Sequence, residues 1–154
     1  MSITRRELFR GLPILGLPAL LLPPVARLEA ASQQDSSLPS AGFAFEKLPV
    51  HSSNNDQFRP VMKGILATGE LIEVHETTLP PGGMPHGAHH HVHSEMWLVR
   101  EGTIEVTVNG SKKLRLGPGG VGFVHSNDEH GVMNVGTTPA TYFVVAVGPG
   151  AGSA

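Results

Sequence analysis

Residues Gly83 to Gly102 read GMPHGAHHHVHSEMWLVREG. The stretch carries His86, His89, His90, His91 and His93, then Glu95, and no other part of the chain holds so many groups able to ligate a metal. Imidazole and carboxylate suit a borderline divalent transition metal when thiolate is absent. Read as extended backbone, positions i and i+2 share a face, so His89 and His91 point one way and His90 the other. Glu95 opens an apolar run, Glu95-Met96-Trp97-Leu98-Val99. A break at His93-Ser94 would turn one strand into the next and return Glu95 towards the histidine pair. Three ligands from two adjacent strands then leave room for a fourth from elsewhere in the chain.

Working outward, the candidate for that fourth ligand is His130, in the stretch Gly119 to Asn134. The marked positions Gly83, His89, His91, Glu95 and Gly102 resemble the first motif of the cupin superfamily. Gly119, His130 and Asn134 resemble its second motif. His125 and Asn127 stand where that second motif usually has Pro and Gly, and Asn127 can still take a left-handed backbone there. The resemblance covers residues 43–148 and is similar to a small, single-domain cupin. It implies an all-β fold, the double-stranded β-helix or jelly-roll barrel, and a metal site of His89, His91, Glu95 and His130. One divalent transition metal is expected there, Mn, Fe, Ni, Zn or Cu. A histidine tract can also be a solvated loop, and that reading suits His86, His90 and His93.

The chain has 154 residues, enough for one domain with a core. Nineteen glycines and thirteen prolines fit short strands joined by turns better than helices. There is no cysteine, which excludes disulfides, thiolate zinc sites and a catalytic thiol. The formal net charge of -2 and the absence of a basic cluster give no support to nucleic-acid binding.

Residues 1–31 resemble a twin-arginine export signal. Arg5 and Arg6 precede a modest apolar stretch broken by Pro13, Pro18, Pro23 and Pro24, and small residues follow at Ala30-Ala31. The apolar stretch falls short of the roughly 20 residues needed to span a bilayer. The expectation is an exported, periplasmic or extracytoplasmic protein with no stable membrane span after cleavage. Residues 32–42 read as a linker, 43–148 as the cupin domain and 149–154 as a flexible tail.

Within the domain, Phe43-Ala44-Phe45 reads as a first edge strand and residues 52–56 as a loop. Residues 70–79 read as a strand whose inner face the pattern leaves open, with Glu73, His75 and Glu76 expected at the rim or surface. Thr103 to Val108 alternates with period two, and Asn109-Gly110 supplies the left-handed pair of a type I′ hairpin turn. Leu114 and Leu116 lie on the return strand. Val121 to Val124, Gly131 to Val135 and Ala140 to Val147 read as three more strands. The phase from Glu95 places Trp97 and Val99 inside. The phase from His130 places Val132 and Asn134 inside, all around the metal. Trp97, Phe123, Tyr142 and Phe143 are expected first as core.

The resemblance implies a small-molecule ligand or substrate but does not choose a reaction, because cupins include dioxygenases, isomerases and decarboxylases. One expectation is a metal-dependent enzyme, and if it is an enzyme the resemblance implies the dioxygenase or isomerase type. The alternative is a non-catalytic metal-storage or ligand-sensing module. No general base stands out, and His86 and His125 are candidates by position only. Met96 and Leu98, together with Phe143, Val145 and Val147, leave strands apolar on both faces. That predicts a homodimer through the outer sheet, or cover by the segment around Phe43 to Phe45.

Overall fold

The computed structural model describes residues 37–53 and 55–151. The export signal, the first part of the linker and residues 152–154 lie outside the described residues. The described strands are β1 (His51–Ser52), β2 (Gln57–Ile65), β3 (Leu71–Leu79), β4 (Ser94–Glu101), β5 (Ile104–Val108), β6 (Lys112–Leu116), β7 (Val121–Val124), β8 (His130–Asn134) and β9 (Ala140–Val147). A six-stranded sheet has the order β1-β2-β3-β9-β4-β7, and a three-stranded sheet the order β6-β5-β8. Every pairing is antiparallel. The all-β jelly roll expected from the sequence is the fold observed.

Period-two alternation builds the core. On β5, Ile104, Val106 and Val108 are buried while Glu105 and Thr107 are only partly so. These residues meet Leu79, Trp97, Val99, Tyr142 and Val144 from the larger sheet in one cluster. Each fully buried aliphatic side chain stabilises the fold by about 1.5–3 kcal/mol. Asn109 (φ 49°) and Gly110 (φ 69°) make the left-handed turn between β5 and β6. Gly102 (φ 74°) is needed for a second reason, because a Cβ there would lie 2.5 Å from the Ala140 backbone.

The register places three inner rows across the larger sheet. Glu73 faces Ala146, which faces Glu95; His75 faces Val144, which faces Trp97; Thr77 faces Tyr142, which faces Val99. Glu73 and Glu95 thus share a row with only the small Ala146 between them.

Several expectations need correction. Phe43 to Phe45 is not a strand: Phe45–Lys47 is one 3-10 turn. Phe45 lies between the guanidinium groups of Arg59 (4.9 Å) and Arg100 (4.6 Å), which hold it by cation–π contact rather than by strand pairing. Leu38 packs on Gly64, and its N–H bonds the Ile65 carbonyl. This segment therefore crosses the outer face, as the cover expected within one chain would. Glu76 is not at the rim but fully buried, paired with Arg59 at 3.4 Å. Phe123 is not core: β7 is an edge strand that buries Gly122 and Val124, leaving Phe123 56 % exposed. Residues 149–151 are not a free tail, because the Gly148 N–H bonds the Leu71 carbonyl and Ala151 is buried.

Candidate metal centre

His89 is held by backbone rather than by a regular strand. It makes an isolated bridge to His130, with N–H to carbonyl distances of 3.0 and 2.8 Å in the two directions. The Asn127 N–H bonds the His91 carbonyl at 2.8 Å, and Asn127 has the left-handed backbone (φ 65°) that its position required. The expected strand-to-strand break at His93-Ser94 is instead the end of a long loop, with β4 starting at Ser94. The outcome for the histidines is the same, because His130 at the head of β8 fixes His89 and the loop brings His91 in beside it. The rings of His89 and His91 lie 4.7 and 4.8 Å from that of His130.

Glu95 is the hub. Its Oε1 is 3.1 Å from His91 Nε2 and 3.3 Å from His93 Nε2, and its Oε2 is 3.4 Å from His130 Nε2. The other nitrogens decide what these contacts are. Nδ1 of His91 lies 3.0 Å from the His93 carbonyl, and Nδ1 of His130 lies 2.9 Å from the Asp128 carbonyl. A carbonyl only accepts, so both Nδ1 atoms carry the proton. In the neutral rings the Nε2 lone pairs then face a carboxylate, and neither buried Nε2 has a hydrogen bond. Lone pairs on both sides repel unless a cation lies between them, either a proton or a metal ion.

The donor spacing fits a metal. Two donors about 2.1 Å from one ion are roughly 3.0–3.4 Å apart at ordinary coordination angles. Ligand atoms of His89, His91 and His130 lie within 4.8 Å of one another, and so do those of His91, His93 and Glu95. The structure brings all four expected residues, His89, His91, Glu95 and His130, into one cluster. His93 is a residue the sequence reading missed. It is buried, stacks on His91 with ring centroids 3.4 Å apart, and donates from Nε2 to Glu95. It orients the carboxylate as outer partners of metal ligands do. His90 is exposed and takes no part. His125 is exposed and bonds the Ser126 carbonyl.

The cluster opens into a cavity of about 280 Å³. Trp97, Val132, Tyr142, Val144 and Ala146 supply apolar lining, with His86 beside His89. Glu73 and His75 line it too, against the expectation of a rim or surface position, and so does Asp56 from the expected loop. Val99 and Asn134 point inward but do not reach it. Asn134 is a fastener, bonded to Leu79, Thr138 and Gly136.

Electrostatics follow the geometry. Burial raises the Glu95 pKa, but His130, His91 and His93 together outweigh it and hold the group at about 2. Burial lowers the His130 pKa, yet Glu95 and the Asp128 carbonyl outweigh it and raise the pKa above 6.5. His89 is lowered by burial and then by its imidazole neighbours, which keeps a lone pair free. The sign for His130 is that its pair with Glu95 stabilises the metal-free fold fully below 6.5 and is lost as pH rises through the raised value. A metal must displace that proton. Raising the pH from about 6 to about 8 should therefore lower the melting temperature of the metal-stripped protein while enlarging its rise on adding metal. Differential scanning fluorimetry with and without zinc measures both, and a metal-induced rise that shrinks with pH would contradict the assignment.

Residues 75–146 match the cupin domain family. A stretch of 64 residues is 45 % identical to L-ectoine synthase of Bordetella petrii, covering 40 % of this chain and 47 % of that protein. The match thus spans less than half the length of this curated relative. Among solved structures, KdgF from Halomonas superposes with a TM-score of 0.59 at 17 % identity, over 70 % of this chain and 94 % of that one. A predicted oxalate decarboxylase from Thermotoga maritima gives 0.58 at 18 %, over 70 % and 99 %. An RmlC-like cupin from Shewanella frigidimarina gives 0.56 at 19 %, over 71 % and 92 %. At these identities the structural likenesses establish the fold alone. Fold, matched segment and His/Glu cluster converge on residues 75–146, the part of this chain that matches the cupin domain family.

Proposed function

We propose that this protein is an exported cupin that holds one divalent transition metal at His89, His91, Glu95 and His130 and acts on a small molecule beside it. The observation that carries the reading is the pair of Nε2 lone pairs on His91 and His130, fixed by their Nδ1–H bonds and turned on Glu95. When bound, the ion would supply a Lewis acid to an oxygen-bearing ligand. The chain's own contribution is a small cavity, below the roughly 300–1,000 Å³ of drug-sized sites, with Trp97, Val132, Tyr142, Val144 and Ala146 as its apolar lining. L-ectoine synthase and oxalate decarboxylase are named for small molecules, which supports the same scale of substrate. The test is to load the protein with each of Mn, Fe, Ni, Zn and Cu and follow a panel of 2-oxo acids, diketones, phenolics and sugar acids. Metal-dependent conversion is expected. Stoichiometric metal with no conversion would favour a metal store or ligand sensor.

Export rests on Arg5 and Arg6. Changing both to lysine should strand the precursor in the cytoplasm, read by fractionation, and normal export of that variant would overturn the twin-arginine route. Among the described residues no helix is long and apolar enough to cross a membrane.

The homodimer is proposed through the outer face at β4 and β7. Phe45 reaches Arg100, yet Met96, Leu98, Val121 and Phe123 remain 37–57 % exposed as one apolar patch. Such patches commonly mark an interface, and a two-fold pair closes it. Light scattering at micromolar concentration should give the dimer mass, and Phe123→Asp should give the monomer. A monomeric wild type would contradict the interface.

A further inference from the structure

The cavity has a second polar end that the metal reading does not use. His75 Nδ1 lies 3.0 Å from both oxygens of Glu73. A carboxylate only accepts, so Nδ1 carries the proton and the neutral ring offers its Nε2 lone pair. No other hydrogen bond to the His75 side chain is seen among the described residues. The pair is not a solvated surface pair, since the side chains are 19 % and 14 % exposed and both line the cavity. Phe58 packs on the ring at 4.7 Å and limits its rotation. Lys63 stands across the β2–β3 pairing from Glu73.

The register sets the spacing to the metal cluster. Glu73 and Glu95 are two strands apart in one row, and His75 and Trp97 two strands apart in the next. Strands lie 4.7–4.9 Å apart, so the two ends are separated by about 10 Å of backbone. Ala146 between the carboxylates leaves that gap open. A molecule of a few carbons seated there touches the cluster with one end and His75 with the other.

We propose that His75, positioned by Glu73, is the proton acceptor and donor for a small carbonyl compound bound between it and the His/Glu cluster. This rests on the metal reading above. The step is a reversible proton transfer. His75 Nε2 takes the proton from the carbon next to the carbonyl, and the C–H electron pair moves into the substrate to give the enolate. The imidazolium is stabilised by Glu73, and the same proton position then returns a hydrogen to carbon.

The probe is 2-oxobutyrate in D2O with zinc-loaded protein, followed by loss of the C3 proton signal in NMR. Zinc content is measured first. Wild type should exchange the proton faster than free zinc does. His75→Gln and His75→Asn, either of which serves if the other does not fold, should lose about 100-fold or more with zinc content unchanged. A readout independent of activity is the imidazole tautomer in long-range 1H–15N spectra, assigned by the His75 variants. His75 should be the Nδ1–H form, kept in Glu73→Gln and lost in Glu73→Ala. Exchange at wild-type rate in both His75 variants, no exchange in the zinc-loaded wild type, or an Nε2–H tautomer would each overturn the proposal. A wild type that binds no zinc overturns the metal reading itself, and this proposal with it.

Discussion

Alanine at His89, His91 or His130 is expected to lower metal affinity by more than about 100-fold, because each change deletes a direct ligand where loss of an outer partner alone costs 10–100-fold. Glu95→Gln should weaken binding as well, since it removes the anionic oxygens that three histidines surround. His93→Ala should cost about 10–100-fold, the range of an orienting partner. His90→Ala should change nothing, because His90 is exposed outside the cluster. Competition titration against a chromophoric chelator measures the whole series. His93→Ala equal to His91→Ala would make His93 a ligand, and a large loss in His90→Ala would refute the geometry.

Asn134→Ala is expected to give the largest loss of stability without touching the metal set. Asn134 is fully buried. Its Nδ2 donates to the Leu79 carbonyl at 3.0 Å and the Thr138 carbonyl at 2.8 Å, and its Oδ1 accepts the Gly136 N–H at 2.9 Å. The side chain thus ties the end of β3 to the turn between β8 and β9. Alanine leaves two carbonyls and one N–H without these partners, each worth about 1–3 kcal/mol if it stays unsatisfied. A net loss of about 2–4 kcal/mol should lower the melting temperature by roughly 8–20 °C. Denaturant unfolding checks it. A loss below about 1 kcal/mol would show that water or a backbone shift replaces all three bonds.

The parts of the fold that were legible in the sequence were set by local chemistry. Asn109-Gly110 can form only a few turns, and β5 alternates cleanly on either side of it. β2 was missed because Pro60 and Gly64 mask its pattern, and the strand tolerates Pro60 beside a register shift. The His/Glu cluster was legible because four residues able to ligate a metal sit at the spacing of the cupin motifs they resemble. His93 was lost because it was read as a solvated residue at the break before Ser94, whereas the loop buries it and stacks it on His91. Glu73 and His75 could not be placed from β3 alone, whose two faces look equally mixed. Only the pairing with β9, which sets them in rows with Ala146 and Val144, turns them into the cavity. Glu76 was misplaced for the opposite reason: an isolated glutamate reads as surface until Arg59 and the segment from Leu38 to Phe45 are seen on the outer face.

A metal at the His/Glu cluster is tested most directly by metal analysis of the mature protein isolated from its native compartment. It should contain a stoichiometric amount of a single divalent transition metal, with X-ray absorption showing imidazole nitrogen ligands, and His130→Ala prepared in the same way should contain almost none. Wild-type protein that carries only traces of metal, or a metal content that His130→Ala leaves unchanged, would contradict it.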